Sequence, residues 1–101
     1  MCISSVTCAE LVHGVENSQA VERNRLALAL LLTNIYILAF DAAAAKSYGA
    51  IRADLEKRGT PIGPLDMMIA GHAKSLEYTI VTNNIKVFSR VSGLNVENWA
   101  V

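Results

Sequence analysis

Three polar positions in this sequence stand where an α/β protein does its chemistry. Glu10 follows a short apolar start by about one helical turn. Asp66 opens a helical segment, and Thr82, Asn83 and Asn84 close the run Tyr78-Thr79-Ile80-Val81. In parallel α/β folds, ligands gather at the carboxyl ends of strands. Carboxylates converging on one cleft make an oxygen-rich site for Mg²⁺ or Mn²⁺. Such ions position a water and stabilise phosphoryl charge.

Each position also has a plainer reading, and local pattern leaves both open. Thr7 and Glu10 spell Thr-x-x-Glu, a capping box. There the hydroxyl takes a backbone N–H and the carboxylate reaches back to the cap. Asp66 is a first-turn acid that the helix dipole favours. Asn84 is a turn residue. His13, one turn after Glu10, makes a weak Glu-x-x-His metal pair in a chain with two histidines. His72 lies on an apolar helix and is expected to be partly buried. Met67 and Met68 are expected in the core.

The elements that must carry these residues follow from periodicity. Ile3–Val6 reads as a short strand, and Thr7 as the cap of a helix that breaks at Asn17-Ser18. A second helix runs from Gln19 to Leu32, with Glu22, Arg23 and Arg25 wet and Leu28, Leu31 and Leu32 buried. Ile35–Phe40 is aromatic and β-branched, and reads as a buried strand. Asp41 caps a helix from Ala42 to Arg58, whose core stripe is Ala44, Tyr48, Ile51 and Leu55. Gly59 stops it. After the loop Thr60–Gly63, Pro64 begins a helix that reaches Leu76. Tyr78–Thr82 is a strand, a helical turn ends near Phe88, and Leu94–Trp99 is an edge strand. Strands alternating with helices imply an α/β fold: a parallel sheet with helices on both faces.

Composition bounds the rest. The chain has 101 residues, 52% hydrophobic and 18% charged. That is one domain at most, and too apolar for disorder. Nine basic and nine acidic residues cancel, so net charge gives no support to electrostatic binding of nucleic acid or membrane. Cys2 and Cys8 are too few for a disulfide scaffold and are expected as buried, reduced thiols, which suits a cytoplasmic location. The start MCISSVTCAE is not a signal peptide. The longest apolar run, Leu26–Leu32, falls far short of the roughly 20 residues a spanning helix needs. A soluble protein is expected.

Four segments together resemble a known family. Asp66-Met67-Met68-Ile69-Ala70-Gly71-His72-Ala73 looks like the D-x-x-I-A-x-x-A helix of PIN-domain ribonucleases, and Pro61–Leu65 resembles the loop before it. Ile80–Asn84 followed by Phe88 is similar to their strand and turn. Ile3–Thr7 with Glu10, Leu11 and Gly14 resembles the segment that delivers their second acid. Asn98-Trp99 matches a frequent ending. The nearest subgroup is the VapC toxins of bacterial type II toxin–antitoxin modules. The resemblance covers essentially the whole chain.

The resemblance implies a PIN-like domain over residues 1–101 and a magnesium-dependent endoribonuclease that cuts RNA, often tRNA. Mn²⁺ can substitute for Mg²⁺. It implies a cognate VapB-type antitoxin and a homodimer. By motif match Glu10 and Asp66 are metal-binding acids, Thr82 is an adjacent hydroxyl, and Asn84 stands where many members place a fourth acid.

The front of the chain departs from the pattern. Nothing matches the family's first strand, with its Asp, or its first helix. The expectation is an N-terminally truncated domain, inactive as it stands, or a non-catalytic remnant that binds antitoxin or dimerises. An unrelated α/β binding domain is the third reading. In the family the first strand lies between the strands that here are Ile3–Val6 and Tyr78–Thr82. Two strand pairs with open edges should therefore remain.

Overall fold

The computed structural model describes residues 2–82 and 84–98. Expectations that fall on Met1, Asn83 and Trp99 lie outside the described residues. In chain order the elements are β1 (Cys2–Ser4), α1 (Ser5–Glu16), α2 (Val21–Leu32), β2 (Tyr36–Leu38), α3 (Ala42–Lys57), α4 (Pro64–Ser75), β3 (Ile80–Thr82), α5 (Ile85–Phe88) and β4 (Val96–Asn98). They fall into two compact units, Met1–Ala39 and Phe40–Val101. The described strands form two parallel pairs, β1 with β2 and β3 with β4.

In the first unit Cys2, Ile3 and Ser4 pair with Tyr36, Ile37 and Leu38. Helix α1 begins earlier than the sequence pattern indicates. Ser4 has extended backbone angles, and its side chain accepts the Val6 N–H at 3.1 Å. Ser4 is thus the N-cap, and Thr7 and Glu10 both lie inside the helix. The Thr7–Glu10 capping box does not form, because a serine three residues upstream already satisfies the first orphan donor.

Polar side chains join α1 to α2. Ser18 Oγ donates to the Val15 carbonyl at 2.6 Å, and Asn24 Nδ2 donates to Ser18 Oγ at 2.9 Å. Arg25 forks onto Glu16, with Nε at 2.8 Å and Nη2 at 2.6 Å from the two carboxylate oxygens.

Neither α1 nor α2 has a buried residue, and neither does β1 or β2. This corrects several expectations. Strand β2 is not a buried strand, since Tyr36 is 80% exposed. Leu31 is exposed, and Leu28 and Leu32 are only half-buried. Cys2 is an exposed free thiol and Cys8 a half-buried one. The cause is structural: two three-residue strands and two helices are too small a set to cover every apolar face they carry.

The second unit holds the core. Ile51, Leu55, Met67, Ala70, Phe88 and Val91 form it, with Tyr48, Ile62, Ile69, Ile80, Leu94 and Val96 packed around. Asp41 caps α3 by accepting the Ala44 N–H at 2.9 Å. Ala44, Ile51 and Leu55 are buried, and Tyr48 is half-buried. Gly59, at φ 68°, ends the helix. Its N–H donates to the Glu56 carbonyl and that of Thr60 to Leu55, the Schellman pattern.

Helix α4 starts at Pro64, as the residue type favours. It ends in the same pattern as α3, with Glu77 donating to Lys74 and Tyr78 to Ala73. Glu77 takes the left-handed position at φ 58°, where glycine is usual. Met67 is in the core, and His72 is buried, with its ring edge-on to Phe40 at 5.6 Å. Ile80, Val81 and Thr82 pair with Val96, Glu97 and Asn98.

Candidate functional site

Asp66 is the third residue of α4, two after Pro64. Its N-cap, Gly63, has no side chain to offer the helix. The Asp66 carboxylate lies back over that glycine: a Cβ placed on Gly63 would sit 3.4 Å from Oδ2. The carboxylate is half-buried and takes part in no hydrogen bond or ion pair among the described residues. The positive end of α4 favours its charge. A partly enclosed carboxylate without a protein donor is available to a cation or a polarised water.

Thr82 and Asn84 are brought together at the end of β3. The Asn84 N–H donates to Thr82 Oγ1 at 3.0 Å. The Asn84 carbonyl starts α5 by accepting the Val87 and Phe88 N–H groups. Its carboxamide makes no capping bond to α5, so the turn reading accounts for its backbone and leaves its side chain available.

Glu10 belongs to the first unit, while Asp66, Thr82 and Asn84 belong to the second. Glu10 is exposed on α1. With Ser4 as cap, no capping role holds it, and no described residue bonds or pairs with it. His13 sits in the last turn of α1, exposed.

The donor chemistry suits Mg²⁺ in kind but not in number. The carboxylates of Glu10 and Asp66 are hard oxygen donors of the kind Mg²⁺ takes. Yet no group of three or more His, Cys, Asp and Glu stands together among the described residues.

The sequence pattern missed a set of cationic staples around α4. Arg90 Nη1 donates to the Pro61 carbonyl at 3.1 Å. Arg58 Nη2 donates to the Arg90 carbonyl at 2.6 Å while its Nε and Nη2 hold Asp54 Oδ2. Lys74 Nζ donates to the Ser92 carbonyl at 2.8 Å. Nothing in hydrophobic periodicity marks a side chain that bonds to a distant backbone.

The family profile of the PIN domain matches residues 1–94. The chain belongs to the PIN-domain family. Its PIN relatives include proteins named tRNA(fMet)-specific endonuclease VapC. That of Shigella flexneri is 52% identical over 99% of this chain and 76% of its own length. That of Salmonella typhimurium is 46% identical over 98% and 75%. Among solved structures, DNA-bound VapBC from Salmonella typhimurium gives a TM-score of 0.96 at 46% identity, over 99% of this chain and 76% of that one. VapBC-1 from nontypeable Haemophilus influenzae gives 0.94 at 35%, over 100% and 75%. The α/β PIN-like fold expected from the sequence is therefore established. Among the described residues no helix is long and apolar enough to cross a membrane.

Proposed function

We propose that this chain derives from the ribonuclease toxin of a VapBC-type toxin–antitoxin module, acting in the cytoplasm on RNA. The observation that carries this is the 52% identity, along nearly the whole chain, to a tRNA(fMet)-specific endonuclease VapC. The Asp66 carboxylate at the start of α4, without a partner among the described residues, supports it. A tRNA is the substrate class that relative's name points to.

In this reading, by motif match, Asp66 and Glu10 are the metal-binding acids, and Thr82 and Asn84 are further catalytic residues. Bound Mg²⁺, or Mn²⁺ in its place, would supply charge stabilisation at the phosphoryl group. The protein's part is to place the Asp66 carboxylate in the first turn of α4 and to keep Thr82 Oγ1 oriented by the Asn84 N–H. Two carboxylates are sparse for such a site. We infer that a third acid, on the family's first strand, completes it, and that these 101 residues do not cleave RNA by themselves.

The partner is a VapB-type antitoxin, since three of the similar solved structures are VapBC complexes. The exposed leucines of α2 offer it, or a second protomer in a homodimer, an apolar face. A second reading is a non-catalytic remnant that binds the antitoxin or dimerises.

The test is cleavage of tRNA in Mg²⁺ by the 101-residue chain beside a version extended by a strand of the pattern hydrophobic-hydrophobic-Asp-Thr/Ser-Asn and its helix. Cleavage by the extended version alone is expected. Metal-dependent cleavage by the 101-residue chain would overturn the claim of inactivity. An extended version that folds and binds antitoxin without cutting RNA would support the remnant.

A further inference from the structure

The loop Thr60–Gly63 sets where α4 begins, and therefore where Asp66 stands. Its internal support is thin. Thr60 donates its N–H to Leu55, but its buried Oγ1 has no hydrogen-bond partner among the described residues. A buried, unsatisfied hydroxyl costs free energy, so the loop must be held by something else. Gly63 gives α4 no side-chain cap.

The support comes from a segment distant in sequence. Arg90 donates from Nη1 to the Pro61 carbonyl, in the middle of the loop. Arg90 is itself held, because its carbonyl accepts from Arg58, whose guanidinium is anchored on Asp54. At the opposite end of α4, Lys74 reaches the Ser92 carbonyl. The segment 90–92 therefore bonds both the loop before α4 and Lys74 near the end of α4. The Arg90 end is the one that carries Asp66.

We propose that Arg90 is a positioning residue for Asp66: by holding the Pro61 carbonyl it fixes the loop that orients the carboxylate. This rests on the reading of Asp66 as a metal-facing acid. Arg90 touches no reacting atom. It ties the loop that leads into α4 to a segment distant in sequence.

Two readouts on the 101-residue chain test it, with Arg90→Ala, Arg90→Lys and Lys74→Ala. The first is amide hydrogen exchange at Met67, whose N–H bonds the Gly63 carbonyl at 3.0 Å. Loss of one charge-assisted bond should speed that exchange about tenfold in Arg90→Ala. Arg90→Lys should recover part of the protection, and Lys74→Ala should leave Met67 near its original rate. The second is broadening of the Gly63 and Asp66 amide signals by Mn²⁺ alone. It should weaken or spread in Arg90→Ala and return in Arg90→Lys.

Unchanged Met67 exchange in Arg90→Ala overturns the proposal. So does an unaltered Mn²⁺ pattern in that variant. If Mn²⁺ leaves Asp66 unbroadened in the unaltered chain, the metal-facing role of Asp66 fails, and this proposal falls as a functional claim with it. In that case Met67 exchange would separately report whether Arg90 fixes the loop.

Discussion

Gly71 lies against the backbone of Tyr48. A Cβ at position 71 would come within 2.7 Å of the Tyr48 nitrogen and 2.8 Å of its Cα. Helices α3 and α4 meet there at main-chain distance. The opposing atoms are backbone and cannot rotate away. Gly71→Ala should therefore separate the helices. Overpacking costs about 1–3 kcal/mol, and alanine's better helix propensity returns up to about 1 kcal/mol. A net loss of about 1–2 kcal/mol is expected, read as a lower urea midpoint. An unchanged or higher midpoint would show that the helices can part at no cost.

Glu77 is the reverse case, a residue where glycine would serve better. It holds φ 58° to end α4. An L-residue there costs roughly 1–2 kcal/mol, and glycine's extra unfolded-state freedom offsets about 0.5–1 kcal/mol. Glu77→Gly should raise stability by about 0.5–1 kcal/mol in denaturant unfolding. A loss of stability would show that the Glu77 side chain has a role its surroundings do not reveal.

Glu16 gives the first unit a pH dependence. Hydrogen bonds from Arg25 hold its carboxyl below the ordinary value of 4.5; slight desolvation opposes this, and the Arg25 charge adds to it. A carboxyl depressed in the folded state stabilises at pH values above its unfolded pKa. That contribution fades as pH falls through the folded value, and it is screened by salt. The stability difference between the unaltered chain and Glu16→Gln should shrink from about pH 7 to about pH 3. A difference constant over that range would contradict the pairing.

The apolar face of α2 bears on partner binding. Leu26 and Leu30 are each 63% exposed, one helical turn apart. Leu26→Asp with Leu30→Asp should move stability within roughly 0.5 kcal/mol, as surface changes do. Affinity for a VapB-type antitoxin, measured by calorimetry, should fall by about tenfold or more if the leucines are anchors. Full affinity in the double variant would place the partner elsewhere.

How much of this was legible in the sequence depended on the type of signal. Asp41, Gly59 and Pro64 act through their own local chemistry, so the bounds of α3 and the start of α4 could be read directly. The stripe Ala44, Ile51 and Leu55 repeats with the helix and marked the core of the second unit. Thr7 and Glu10 misled, because a capping box is a local pattern that a better-placed Ser4 pre-empts. Leu31 and Tyr36 misled for a different reason: hydrophobicity states a preference for burial, not whether the chain supplies a cover. Arg90, Arg58 and Lys74 left no trace, since their partners are backbone carbonyls far along the chain. For the site, Asp66, Glu10, Thr82 and Asn84 were identified as candidates by motif. What the structure added is that both carboxylates are free of protein partners among the described residues.

The central claim is that Glu10 and Asp66 are the acids of a ribonuclease. Its most direct test is tRNA cleavage in Mg²⁺ by the extended version, compared with the same protein carrying Glu10→Gln or Asp66→Asn, each first shown to fold and to bind antitoxin. Groups that act as a unit lose nearly all rate when one is removed. Either substitution alone should lower cleavage by at least about a hundredfold. Cleavage within about twofold of the unaltered protein in either variant would contradict it.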